Sequence, residues 1–147
     1  MVDEGAITRA VKDGTLGLVP CPDASGTANA VGAEIDRLLK DGVALHDIGV
    51  VSLRGQTARD AVHNATALGR HSFVHADADD MAERLVADSF LRWKGLERPV
   101  IVVADVSPTL GEFGTRMHIA LTRALTAARV VSPPLASGEA WPGLPGR

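Results

Sequence analysis

The chain has 147 residues with 46% hydrophobic and 22% charged side chains, which is enough apolar material for one ordinary globular domain and excludes a chain that is disordered throughout. The formal net charge of −3 argues against a domain that grips nucleic acid over its whole surface, although a local basic groove stays open. Because aromatic residues make up only 3% of the chain and tyrosine is absent, a broad base-stacking platform is not expected either.

Targeting and membrane signals are not evident in the sequence. Its apolar runs are far shorter than the roughly 20 residues that cross a bilayer, and the start MVDEGAITRAVKDG lacks the pattern of a signal peptide. We therefore expect a cytoplasmic protein with no membrane partner. The single cysteine, Cys21, has no cysteine partner in the chain, so a small buried hydrophobic residue is the simplest interpretation.

The first half of the chain predicts a strand, a helix and a second strand after an N-terminal extension over residues 1–15. Leu16–Val19 is a short apolar run that ends at prolines. From Thr27 the apolar positions recur at helical spacing, with Ser25 or Thr27 as the N-cap and Gly42 as the stop. The continuous apolar run that follows, residues 48–53, is typical of a strand covered on both faces.

The second half continues the alternation of helices and strands. We expect a helix over residues 57–68, a weak strand at 72–75, a helical turn at 79–84, strands at 85–88 and 100–106, a helix at 117–127 and a last strand at 128–131. Such alternation predicts an α/β domain over residues 16–132, in which helices cover both faces of a mostly parallel sheet. Functional loops are expected at the carboxyl ends of the strands. Residues 133–147 are rich in Pro and Gly and are predicted to form a tail.

Several common catalytic signatures are missing. The chain has no Gly-x-Ser-x-Gly, His-Glu-x-x-His or Gly-x-Gly-x-x-Gly pattern, and Ala33 stands where a P-loop would need lysine. The five histidines lack ligand spacing, and capping of a helical turn explains the acidic residues Asp77, Asp79 and Asp80. We therefore predict no metal site.

Two segments carry a family resemblance. The stretch Lys94-Gly95-Leu96-Glu97 with the strand after it resembles motif V of the UvrD/Rep-like superfamily 1 helicases, and residues 117–124, MHIALTRA, resemble motif VI of the same family. Upstream, residues 47–56, DIGVVSLRGQ, resemble motif IVa. The order and separation of the segments match the family, so the resemblance spans residues 16–132.

The resemblance implies a RecA-like fold and a nucleotide-binding role. In that family ATP binds between two RecA-like domains, and these motifs belong to the second one; the P-loop and the Mg²⁺ ligands belong to the first, N-terminal domain, which would be the partner here. By resemblance, Glu97 accepts hydrogen bonds from the ribose, and Lys94 either lies near the phosphates or orients the loop. Gly95 lets the backbone approach the nucleotide, and Arg123 is an arginine finger that reaches the γ-phosphate.

The same resemblance implies contacts with single-stranded nucleic acid, DNA being the first expectation. The residues in question are Ser89 and Arg92 of motif V and Arg54 of the motif IVa loop. The sequence departs from the pattern where Leu91 replaces a histidine and His118 replaces an aromatic residue. The family's large accessory subdomain cannot fit before motif V, so a compact relative, fused to a nuclease or another module, is expected.

Two alternatives remain open at this point. The chain can be a catalytically inactive RecA-like scaffold that only holds a partner. It can also be an unrelated doubly wound domain, such as a flavodoxin-like or receiver domain, although receiver chemistry needs clustered acids at strand ends and only Asp105 is suitably placed.

Overall fold

The computed structural model describes residues 16–21, 26–55, 58, 61–107 and 111–133. The predicted N-terminal extension and all of the predicted tail except Pro133 lie outside these ranges. In chain order the elements are β1 (Leu16–Pro20), α1 (Thr27–Lys40), β2 (Ile48–Ser52), β3 (Val86–Ser89), β4 (Arg98–Ala104), α2 (Phe113–Leu121) and β5 (Ala124–Ser132). Short 3₁₀ helices occupy Leu45–Asp47, Val62–Asn64 and Met81–Glu83.

The five strands form one sheet in the order β1-β5-β4-β2-β3, and every neighbouring pair is parallel. Since parallel neighbours need a crossover between them, the chain must return across a face of the sheet after each strand. All strands therefore start at the same edge, which we call the amino rim, and end at the opposite edge, the carboxyl rim.

Side chains of the central strands alternate between the two faces of the sheet, and both faces are buried. On one face, α1 packs over Ile48, Val50 and Val102; on the other, α2 packs over Val51 and Val103. Burial on both sides explains why β2 and β4 read as continuous apolar runs. The predicted α/β fold, with helices on both faces of a parallel sheet, is confirmed, and the architecture is compatible with a RecA-like fold.

Helix α1 follows the predicted periodicity and buries Val31, Ile35 and Leu38. Its stop is also as predicted, because Gly42 has a φ of +94°, which glycine adopts at little cost. The predicted cap is wrong: the N-cap is Gly26, and Thr27 is already inside the helix. Ser25 lies outside the described residues.

Three predicted elements differ from the structure. The described part of 57–68 contains the 3₁₀ turn Val62–Asn64 and a bridge from Leu68 to His71 in place of a helix, and 72–75 contributes a single bridge from Val74 to β3. Helix α2 begins at Phe113, earlier than predicted. It also ends earlier, at Leu121, because residues from Ala124 onward pair with β4 instead of continuing the helix. Pairing of a whole strand outweighs local helix propensity, even in an Ala-rich segment, because propensities amount to less than about 1 kcal/mol per residue.

Within the described ranges, the helices are too short or too polar to cross a membrane.

Candidate functional site

The motif residues divide between the two rims of the sheet. Lys94, Gly95 and Glu97 directly precede β4, and Arg123 directly precedes β5, so they lie at the amino rim. Functional loops were expected at the carboxyl ends of the strands, and these four motif residues lie at the opposite edge. A residue that comes just before a parallel strand must lie where that strand starts.

Glu97 and Arg123 are neighbours at the amino rim. Arg98 and Ala124 are paired across β4 and β5, and the Arg98 backbone N–H donates a hydrogen bond of 3.0 Å to the Arg123 carbonyl oxygen. Adjacent strands lie about 4.8 Å apart, so the residues that precede this pair start from adjacent backbone positions. Two segments that are 26 positions apart in sequence thus meet at one place.

The pairing of β4 with β5 is irregular directly beside Arg123. Arg98 pairs with Ala124 but Val100 pairs with Ala127, so β5 holds one extra residue opposite Pro99. Proline has no N–H to donate to the ladder, which accounts for the break. Such β-bulges bend a strand and redirect side chains, and they are frequent next to functional sites.

Arg98 anchors the amino rim from inside. It is 5% exposed, and its guanidinium donates to the carbonyl oxygens of Ile48 at 2.9 Å, Arg84 at 2.8 Å and Met81 at 2.5 Å. Burial lowers the pKa of Arg98, while the charge of Asp47 raises it in part. Because the Arg98 side chain ties three segments together, it fixes the start of β4, which directly follows Glu97.

The motif side chains at the amino rim have few partners. Lys94 and Glu97 are exposed, and neither side chain bonds to another residue that the structure describes. Arg123 is half-buried; its Nη2 donates to Thr122 Oγ1 at 3.1 Å, but its Nε is buried without a hydrogen-bond partner. A buried donor with no acceptor costs about 1–3 kcal/mol, and an acceptor reaches this atom only when the Arg123 side chain turns outward.

Gly95 turns the chain at the amino rim. It has a φ of +85°, a conformation that other residues rarely adopt, and the space around the missing side chain is open. The backbone between Lys94 and Glu97 is therefore accessible, as an approach by a nucleotide would require.

The segment 90–97, called here the crossing segment, joins the two rims over one face of the sheet. It runs from the end of β3 to the start of β4 as a series of turns. Trp93, at its middle, is fully buried and donates from Nε1 to the Val50 carbonyl oxygen at 2.9 Å. The indole lies directly over Gly49, where any Cβ atom would overlap the ring. Trp93 is thus a core residue, and it fixes the segment to β2.

The residues that the resemblance assigned to nucleic acid lie at the carboxyl rim. Ser89 ends β3 and is fully buried, with an Oγ that has no hydrogen-bond partner. Arg92 forms ion pairs with Asp88 at 3.1 Å and Asp77 at 2.6 Å, and the hydrogen bonds that it donates to both carboxylates raise its pKa. The same contact with Arg92 lowers the pKa of Asp77. Arg92 therefore already has acidic partners within the chain.

Arg54 follows β2 at the same rim. Its backbone N–H donates to Ser52 Oγ at 3.1 Å, and Ser52 Oγ donates to Asp105 Oδ2 at 2.5 Å. The same carboxylate oxygen accepts from the Val62 N–H at 2.9 Å. Asp105 therefore ties the start and the end of the loop after β2 to the end of β4.

Asp105 is unusual both in its backbone conformation and in the pKa of its carboxyl group. Its backbone has a φ of +59°, which is uncommon for a residue other than glycine. Burial raises the pKa of its carboxyl group, and the hydrogen bonds from Ser52 and Val62 with the charges of His63 and Arg54 offset part of that effect. Strained backbones of this kind cluster at functional sites.

The sequence suggested that the acidic residues near 77–80 cap a helical turn, but the structure shows no side-chain cap bond from Asp80. Asp80 precedes the 3₁₀ turn and pairs instead with Arg84 at 3.1 Å. Within the described ranges, no three side chains of His, Cys, Asp or Glu come together as metal ligands would.

Sequence reasoning missed Arg98 and the Ser52–Asp105 contact. A buried arginine inside an apolar strand signals an anchored guanidinium, and Arg98 has that position. The contact between Ser52 and Asp105 spans 53 positions, so only the strand register reveals it.

Comparison with known proteins does not assign the chain to a family. A scan against protein-family models found no match, and a search of curated proteins found no similar sequence.

Proposed function

We propose that the chain is the C-terminal RecA-like motor domain of a superfamily 1 helicase or translocase. In this proposal Glu97 and Arg123 contribute to a site for ATP bound at the P-loop of a separate domain. Arg54, Arg92 and the segment that follows the buried Ser89 face single-stranded DNA or RNA. The Mg²⁺ ligands belong to the other domain. The observation that carries the proposal is the hydrogen bond between Arg98 N and the Arg123 carbonyl oxygen, which brings Glu97 and Arg123 together.

The chemistry of the amino rim fits a nucleotide. A carboxylate only accepts hydrogen bonds, so the exposed Glu97 suits ribose hydroxyl groups. A guanidinium offers a planar set of donors that suits phosphate oxygens, and the buried Nε of Arg123 still lacks an acceptor. An acceptor group beside a donor group on one open edge is what a shared nucleotide site requires.

The ion pairs at the carboxyl rim favour a second candidate function. Since Arg92 already contacts Asp77 and Asp88, that rim does not need a nucleic acid to balance its charge. A RecA-like scaffold that binds a partner without hydrolysing ATP would show the same pairs. The free groups of the amino rim count against it, because a scaffold has no use for an unsatisfied Arg123 Nε.

The decisive measurement is ATP turnover with single-stranded nucleic acid, made on the chain together with its P-loop domain. Arg123→Ala is expected to lower kcat at least ~30-fold, about 2 kcal/mol of transition-state stabilisation, with nucleotide affinity nearly unchanged. Arg123→Lys should restore little, because an ammonium lacks the planar donor set.

Arg84→Ala is the matched control, since Arg84 precedes β3 at the same rim and pairs with Asp80. It should leave kcat unchanged. Equal turnover in the wild type and Arg123→Ala would exclude the arginine finger and favour the scaffold.

A further inference from the structure

Arg116, on α2, belongs to none of the motif segments that point to nucleic acid. Its Nη1 donates to the Leu53 carbonyl oxygen at 2.6 Å, and its guanidinium lies 4.9 Å from the centre of the Phe90 ring. The side chain is half-buried. It therefore contacts two segments of the chain at once.

Those two segments are the ones that the proposed function assigns to nucleic acid. Leu53 directly precedes Arg54, and Phe90 directly follows Ser89. The backbone also joins them, since the Phe90 N–H donates to the Ser52 carbonyl oxygen at 2.8 Å. Arg116 thus lies between the loop after β2 and the start of the crossing segment.

The charge of Arg116 is not balanced in the way that the charge of Arg92 is. Arg92 has two carboxylate partners, whereas Arg116 forms no ion pair with any residue that the structure describes. Its contacts are a neutral carbonyl and an aromatic face, and both leave a guanidinium charged and several of its N–H groups available. Arg116 is therefore better suited to meet an anion than Arg92.

We infer that Arg116 contacts a phosphate of the bound single strand and joins the Arg54 and Ser89 segments into one continuous nucleic-acid face. This inference rests on the proposed function. The stacking on Phe90 holds the guanidinium in place before binding, so little rotamer freedom is lost when a phosphate arrives.

Binding of a fluorescein-labelled oligothymidine, followed by anisotropy over a salt titration, tests the inference. Arg116→Gln removes the charge but keeps an amide donor for the Leu53 carbonyl; it should weaken binding about tenfold and reduce the log–log salt slope by about 0.7, the share of one phosphate contact on a single strand. Arg116→Lys should keep most of the wild-type slope, because it keeps the charge.

Arg84→Gln removes the same charge at the opposite rim and should change the slope little. Thermal unfolding of each variant shows how much of any effect is structural. The inference is overturned, with the proposed function intact, if the wild type binds and Arg116→Gln keeps the wild-type slope, or if Arg116→Lys loses as much slope as Arg116→Gln. A wild type assayed with its P-loop domain that binds neither oligothymidine nor the matching oligouridine overturns both.

Discussion

The two rims of the sheet differ in how far their polar groups are satisfied. At the amino rim, Lys94 and Glu97 have no side-chain partner among the described residues and the Nε of Arg123 lacks an acceptor. At the carboxyl rim, Arg92 is held by two carboxylates, and Asp105 accepts two hydrogen bonds. The motif side chains Lys94 and Glu97 are thus open at the amino rim, whereas Arg92 and Asp105 at the carboxyl rim are already bonded within the chain.

This difference teaches what each rim needs from a ligand. A nucleotide or partner domain at the amino rim would add hydrogen bonds to the exposed Lys94 and Glu97 without breaking any, whereas the buried Nε of Arg123 must first move outward. A nucleic acid at the carboxyl rim must compete with bonds that exist, above all the pair between Arg92 and Asp77. Binding at the amino rim therefore depends mainly on the hydrogen bonds that form, whereas binding at the carboxyl rim also depends on the ion pairs that must break.

The largest effect on stability is expected from removal of Trp93, because this side chain fixes the crossing segment that joins the rims. Trp93→Ala leaves a cavity over Gly49 and takes away the donor to the Val50 carbonyl, so the free energy of unfolding should fall by about 3–5 kcal/mol. Urea unfolding measures this loss.

Leu91→Ala serves as the control in the same segment, since Leu91 is 60% exposed. Its effect should stay within about 0.5 kcal/mol. If Trp93→Ala were as mild as Leu91→Ala, the crossing segment would not depend on its contact with β2.

The connected carboxyl rim is tested through Asp105. Burial raises the native pKa of this carboxyl above the usual 3.8, so between these two values the native state holds a proton that the unfolded state has lost. Stability supplied by this group is therefore fully present below the unfolded pKa and is lost as the pH rises through the native pKa. Asp105→Asn cannot titrate, and asparagine tolerates the positive φ.

Urea unfolding at a series of pH values should thus show Asp105→Asn gaining on the wild type as the pH rises above 3.8. Asp80→Asn, at an exposed carboxylate, should show no such gain. Parallel pH profiles for the wild type and Asp105→Asn would mean that the carboxyl titrates alike in the folded and unfolded chain.

The smallest effect concerns the competition for Arg92. Asp77 is 68% exposed and its pair with Arg92 is partly screened by solvent, so Asp77→Asn should strengthen binding of single-stranded DNA only about two- to fivefold. Asp80→Asn removes the same charge from the pair with Arg84 and should have a weaker effect. Equal gains in the two variants would reflect net charge and not release of Arg92.

The sequence predicted the α/β class, because apolar runs and helical periodicity report burial locally. It also placed α1 and the strands within a few residues. The resemblance predicted that Glu97 and Arg123 meet at one rim of the sheet. The sequence could not show which rim that is or the register that brings them together, the pairing of Arg98 with Ala124. The end of α2 was misplaced for the same reason, since strand pairing competes with helix propensity only in the folded sheet.

The contact between Gly49 and Trp93 links two positions that are 44 apart in the chain. A methyl group at 49 has no room while the indole is present, so mutations at these two sites are not independent. Over evolutionary time they should change together: a descendant with Ala or Ser at 49 should have a smaller side chain at 93. Covariation of positions 49 and 93 would therefore help to identify remote homologues of this domain whose overall sequence similarity is low.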